Sequence, residues 1–209
     1  WKTVAIGHGA LENQNFSTAT DSFNVAVGHS AGNDVTTGVR NTLIGALAGD
    51  ALTDSGSNVA IGFNSMTTNT SGSDNVAVGR GTLENFNVTT TTSTYNVAVG
   101  HEAGNDITTG TQNTLVGGLA GDALTAGGSN VALGTNSLAS DTLGSRSVAI
   151  GQGALFTQNF TTATNNHNVA VGYEAGVLIT TGVNNVLIGG LAGDSLTTAG
   201  NNVAIGYQA

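Results

Sequence analysis

The stretch Asn24-Val25-Ala26-Val27-Gly28 decides how this chain folds, because it does not occur once. It returns unchanged at Asn75, Asn96 and Asn168, and close variants begin at Thr3, Asn41, Asn58, Asn113, Asn130, Ser147, Asn185 and Asn202. The twelve starts are spaced 21, 17, 17 and 17 residues apart, and then the cycle repeats with a superperiod of 72. The chain therefore divides into superrepeats 3–74, 75–146 and 147–209 of a single array spanning 1–209, expected to be a segment of a longer chain. A unit of this length is about half a helical hairpin repeat, and glycine recurs in it too often for a helix interior. Within the pentad, Val25 and Val27 alternate with Ala26, a strand pattern, and Gly38 or Asp54 to Ser57 supply turns between pentads. One unit reads as one coil of a parallel β-solenoid, an all-β fold in which twelve coils at roughly 4.8 Å make a rod of about 55 Å.

Stacking puts equivalent residues above one another. The opening asparagines, Asn24, Asn41, Asn58, Asn75, Asn96, Asn113, Asn130, Asn168, Asn185 and Asn202, then form a ladder in which each amide is expected to hydrogen-bond to the coils on either side. Thr3 and Ser147 interrupt it. The closing glycines, Gly28, Gly45, Gly62, Gly79, Gly100, Gly117, Gly134, Gly151, Gly172 and Gly189, are expected at a bend needing positive φ or a close backbone neighbour. The absence of proline fits strands paired on both sides. Large apolar residues fall on both faces of one strand, as with Leu43 beside Ile44 and Leu115 beside Val116, so both faces need cover. Self-association along the rod, as a symmetric homotrimer, supplies it.

The balance of residues excludes several functions. Charged residues make up 8% of the chain, the net charge is −9, and the four basic residues, Lys2, Arg40, Arg80 and Arg146, are too few to neutralise a phosphate backbone. Nucleic acid is not an expected partner. Without cysteine there is no disulfide framework and no thiolate metal site. No apolar run reaches the roughly 18 residues of a membrane span.

The runs Asn58-Val-Ala-Ile-Gly62, Ser147-Val-Ala-Ile-Gly151 and Asn202-Val-Ala-Ile-Gly-Tyr-Gln-Ala209 resemble the head repeats of YadA-like trimeric autotransporter adhesins. They are similar as well to the NTAIGYQA repeat arrays of bacteriophage tail fibres and related bacterial surface proteins. The resemblance covers nearly the whole chain. It implies a trimer of parallel, left-handed β-rolls on the cell surface or a virion, acting as an adhesin or fibre shaft with surface glycans or a host surface as partners.

No catalytic, cofactor or metal site is expected. Gly28-His29-Ser30-Ala31-Gly32 has the spacing of a nucleophile elbow, but the equivalent coils read Gly-His-Glu-Ala-Gly and Gly-Tyr-Glu-Ala-Gly, and no helical pattern follows. Asp50, Asp122 and Asp194 follow glycine once per superperiod, too sparsely for a calcium-binding roll. His29 and His101 lie four coils apart, about 19 Å, beyond sharing a metal. The longer coils offer a recognition surface: Ala10 to Phe23, Thr82 to Tyr95 and Ala154 to His167 carry the aromatics Phe16, Phe23, Phe86, Tyr95, Phe156 and Phe160 as candidate binding-loop residues. Sequons at Asn15, Asn69, Asn87 and Asn159 are candidate glycosylation sites. An ice- or glycan-binding solenoid without a fibre role is the alternative. The adjacent pairs Thr36-Thr37, Thr108-Thr109 and Thr180-Thr181 weigh against ice, because neighbours in a strand point to opposite faces.

Overall fold

The computed structural model describes residues 2–209. Twelve three-residue strands, one per pentad from Val4–Ile6 to Val203–Ile205, pair in parallel and in sequence order into one twelve-stranded sheet. Register is pentad on pentad, with Val25 beside Thr42, Ala26 beside Leu43 and Val27 beside Ile44. Two short pairs, Gly72–Ser73 with Thr92–Ser93 and Gly144–Ser145 with Thr164–Asn165, join the long coils to the coils before them. The described residues contain no helix, and the protein is a parallel β-solenoid.

The middle residue of each strand faces the inside of the coil. Ala26, Leu43, Ala60, Ala77, Ala98, Leu115, Ala132, Ala149, Ala170 and Leu187 are fully buried, and the residues on either side of each are not. The interior is narrow, so side-chain sizes are matched between coils. Leu43 occupies space that opens because residues 32 and 49 are glycines: a Cβ on Gly32 would lie 2.5 Å from its Cδ1, and one on Gly49 2.8 Å from its Cδ2. Leu115 and Leu187 meet Gly104 with Gly121 and Gly176 with Gly193 in the same way. The pentad glycine meets both conditions expected of it. Gly28 has φ +145°, and a Cβ there would stand 2.4 Å from the carbonyl oxygen of Gly45 in the next coil.

The asparagine ladder is real, but its chemistry differs from stacked amides. Each Oδ1 accepts the backbone N–H of the next ladder residue, as from Asn41 to Asn24 (2.9 Å) and from Asn58 to Asn41 (3.0 Å). In the 17-residue coils up to the one opening at Asn185, Nδ2 donates across its own coil to the carbonyl 14 residues on, Gly38 for Asn24 (2.8 Å) and Ser55 for Asn41 (3.0 Å). Amide-to-amide bonds are confined to a few rungs, such as Asn75 Nδ2 to Asn58 Oδ1 (3.1 Å). One side chain thus ties coil to coil and closes its own coil, satisfying buried backbone groups that an apolar residue would leave unpaired. The interruptions have a geometric reason: Thr3 and Ser147 open 21-residue coils, where the carbonyl 14 residues on is no longer opposite. Asn75, which opens the other long coil, donates to Ser73 instead (3.0 Å).

The residue before every ladder position is left-handed, with φ between 51° and 65° from His167 to Arg146. In a strand, successive N–H groups point opposite ways. Here the N–H of Arg40 (to Ser22 O, 2.7 Å) and that of Asn41 (to Asn24 Oδ1) both reach back to the preceding coil, and Val25 N–H reaches forward to Asn41 O (2.8 Å). The left-handed residue makes this double reach possible, at a local cost of about 1 kcal/mol for a side chain other than glycine.

Candidate functional site

The outer face of the sheet is the dominant surface feature. Its two columns are the first and third residues of each strand, Val, Ile or Leu throughout except Thr42 and Thr114. Ile44, Leu133 and Ile188 are 37%, 42% and 39% exposed, and their alternation partners Leu43, Ala132 and Leu187 are wholly buried. The face is about 53 Å long, eleven intervals of roughly 4.8 Å. A soluble monomer rarely presents a continuous apolar strip of that extent.

Two further columns border the strip. The residues just before the ladder positions form a leading column, and those just after the pentad glycines form a trailing column. Every lysine, arginine and histidine of the chain stands in these borders: Lys2, Arg40, Arg146 and His167 lead, and His8, His29, Arg80 and His101 trail. Of the thirteen acidic residues only Asp74 does. Contacts run along each border. Lys2 Nζ stands 5.1 Å from the Phe23 ring and 2.7 Å from an Asp21 oxygen, His8 and His29 stack at 5.5 Å, and Arg80 bonds both His101 Nε2 (3.1 Å) and Glu102 (2.8 Å). The other acidic groups lie away from the borders. Burial pushes the Asp50 and Asp122 carboxyls above the ordinary range, and the nearby Asp34 and Asp106 charges add to it.

The candidate loop residues do not form one site. Phe86 is fully buried in the interior of its coil and Phe160 is 5% exposed; both leave the binding set. Their segments begin inside the core, where the pattern of Leu83-x-x-Phe86 reads equally well as packing. Phe23 and Tyr95, exposed by 52% and 58%, belong to the leading column and not to a loop ridge. Phe16, partly buried, lines a cavity of about 610 Å³ at the first coil with Lys2, Thr3, Gln14 and residues 17–20. Phe156, 38% exposed, stands apart, beside Gln152 and Glu174. The fully exposed parts of the long coils are 17–19, 89–93 and 161–163, mainly threonine.

Asn15, Asn87 and Asn159 are exposed at equivalent places. Asn69 is not a glycan acceptor site: it is fully buried, with Nδ2 donating to Gly72 O (2.9 Å) and Oδ1 accepting from Gly72 N (2.8 Å). The threonine pairs lie in bends and not in strands, and Thr36 and Thr37 are both exposed. The first of each pair is nevertheless committed to the solenoid. Thr36, Thr108 and Thr180 donate their hydroxyls to the carbonyls of Thr53, Thr125 and Thr197 (3.2, 3.2 and 3.3 Å). Hydroxyls spent on the neighbouring coil are poor elements of a water-ordering array.

Ser30 sits in a turn of the coil with φ 52°, followed by no helix, so the strand–turn–helix context of a nucleophile elbow is missing. No cluster of three or more His, Asp or Glu able to hold a metal occurs among the described residues, and no helix among them is long and apolar enough to cross a membrane. No family model, curated protein or solved structure matches the chain.

Proposed function

We propose that this chain is a non-catalytic, extracellular fibre segment: three parallel copies share the apolar sheet face along a common axis, and the threonine-rich parts of the long coils point outward to contact surface glycans or neighbouring filaments. The observation that carries the reading is the outward apolar strip on all twelve strands. With its two borders the face covers about 1,000 Å² per chain, taking roughly 20 Å for its width, so a threefold assembly would bury about 3,000 Å² in total, within the roughly 2,000–5,000 Å² of obligate assemblies. The resemblance of the pentads to trimeric adhesin and tail-fibre repeats supports the threefold count, the left-handed coil and the location on a cell surface or virion. Recurrence of the long coils every four coils, about 19 Å, makes the display multivalent, so weak individual contacts add up to avidity.

Light scattering on the purified chain is expected to give three times the 20.6 kDa chain mass at micromolar concentration. Val97→Glu with Val99→Glu, which puts like charges into the strip, is expected to give single chains that remain β-rich. A wild-type protein that stays monomeric would remove the fibre reading. Shortening the exposed parts of the three long coils tests the display role separately: binding to glycan arrays is expected to fall while the trimer persists.

A further inference from the structure

We infer that in the assembled fibre the leading column of one copy packs against the trailing column of a second copy of this chain, each coil against the same coil, so that the rods run parallel and without stagger. This rests on the self-association proposed above, and adds which residues meet and what sets their register.

What carries it is a matching between the two borders that has no use inside one chain. In the second coil of each superrepeat the leading residue is Phe23, Tyr95 or His167, the only rings in that column. The trailing residues of the same coils are His29, His101 and Tyr173, and all six are exposed. The second and third pairs contain the same two side chains in opposite order, Tyr95 with His101 and His167 with Tyr173. Inheritance of the repeat explains a ring at both places; it does not explain an exchange that conserves the pair. Aromatic edges that meet across an interface do explain it.

Six of the other nine coils match by size or charge; the pairs Lys2 with His8, Arg146 with Gln152 and Asn201 with Tyr207 are neutral to the register. In the third coil a polar leading residue, Arg40, Gln112 or Asn184, goes with the smallest trailing ones, Ala46, Gly118 and Gly190. In the fourth coil the sense reverses, with Ser57 and Ser129 leading and Phe63 and Thr135 trailing. The coil opening at Asn75 carries opposite charges, Asp74 leading and Arg80 trailing. Within a chain the borders are held apart by the strand itself: Asn96 to Gly100 spans about 13 Å at roughly 3.3 Å per residue. The contacts of these side chains inside a chain run along a border, as between His8 and His29 or Arg80 and His101, or to a neighbouring turn, as between Arg80 and Glu102 or Asp74 and Ser93, and not from border to border. Parallel rods related by rotation about the fibre axis bring the leading edge of one copy to the trailing edge of the next. Without stagger, bulk then meets space and Asp74 meets Arg80. A one-coil slip would set Tyr95 against Arg80 or Gly118 and Asp74 against Phe63 or His101, and an antiparallel arrangement would scramble every pair.

The chain contains no cysteine, which makes disulfide trapping direct. Tyr95→Cys and His101→Cys are prepared singly, mixed unfolded, refolded together, checked by circular dichroism and oxidised. The two positions of one chain are too far apart for a disulfide, which needs Cα atoms within about 7 Å. Covalent dimers holding one copy of each variant are expected, with no dimer from either variant alone and none from Tyr95→Cys mixed with Tyr173→Cys, four coils away. Coupling of Tyr95→Cys with itself, or with Tyr173→Cys in preference to His101→Cys, overturns the inference. So does an oligomeric mass by light scattering without the Tyr95→Cys/His101→Cys dimer, which leaves self-association standing. A single-chain mass in the same samples overturns the self-association reading as well.

Discussion

The coil opening at Asn75 and the coil opening at Ser147 are one superperiod apart, equal in length, and filled with opposite chemistry. In the first, the interior position is Phe86, fully buried, and the residue above it in the preceding coil is Asn69. In the second, the same two positions hold Gln158 and Asp141, again both fully buried. The reason lies in one atom. Asn69 satisfies itself on Gly72, donating through Nδ2 and accepting through Oδ1, so it asks nothing of the coil below and a phenyl ring can sit there. Asp141 accepts from Gly144 N and Phe160 N with Oδ1 (3.0 and 3.2 Å), but its second oxygen carries no N–H to close on the same turn and takes its partner from the next coil. Gln158 Nε2 supplies it (2.6 Å), bonds Ser147 Oγ (2.9 Å), and presents its Oε1 to Asn168 Nδ2 (2.8 Å). Changing an amide to a carboxylate in one coil therefore changes the core of the next from apolar to polar.

Exchanging one partner at a time should break this arrangement, and the larger loss is expected in the apolar coil. Phe86→Gln removes a fully buried ring and leaves an amide among Asn69, Gly72 and Thr94, whose own groups are already paired. The lost burial and the unsatisfied amide together cost about 4 kcal/mol. The check is the guanidinium unfolding midpoint at one fixed chain concentration, since the proposed association would contribute to stability. The reverse exchange, Gln158→Phe, gains ring burial but strips Asp141 Oδ2 and Ser147 of their donor, for a net loss of about 2 kcal/mol. Equal losses in the two coils would mean that the polar network contributes nothing specific.

The comparison also separates what a reader of the chain could see from what only the fold reveals. The pentad period, the parallel stacking, the ladder and the glycine bends follow from repetition, because a residue repeated twelve times in register must satisfy the same backbone demand each time. The strip on the outer face was legible too, from Leu43 beside Ile44. Phe86 and Phe160 were not legible as core residues, since the 21-residue coils break the period that identifies the interior elsewhere. Asn69 looked like a sequon because its local pattern carries no trace of the buried turn that consumes its amide. Nor was the segregation of cations evident: Arg40, Arg80 and Arg146 look scattered until each is counted from its nearest pentad.

The smallest effect belongs to the complete exchange. Asp141→Asn with Ser147→Asn and Gln158→Phe rewrites the polar coil as a copy of the apolar one, and its three changes contact one another, so their energies should not add. Asparagine at 141 can close on Gly144 as Asn69 does on Gly72, and phenylalanine at 158 no longer faces a carboxylate in need of a donor. The triple variant is expected to lie within about 1 kcal/mol of the wild type near neutral pH, with Asn166, whose Nδ2 has no partner, taking the place of Thr94. Its pH dependence should differ in a definite direction. Burial raises the Asp141 carboxyl above the ordinary 3.8, outweighing the hydrogen bonds from Gln158, Phe160 and Gly144. A folded state that holds its proton more tightly than the unfolded chain is favoured in acid. That contribution is complete below the unfolded value and is lost as pH rises through the raised folded one. The triple variant has no such group, while Asp50 and Asp122 titrate alike in both proteins. The difference in stability should therefore move in the variant's favour as pH rises from the ordinary carboxyl value of 3.8, and level off above the raised folded value. Parallel unfolding curves over that range would show that Asp141 stays ionised in the folded coil, held by its three donors.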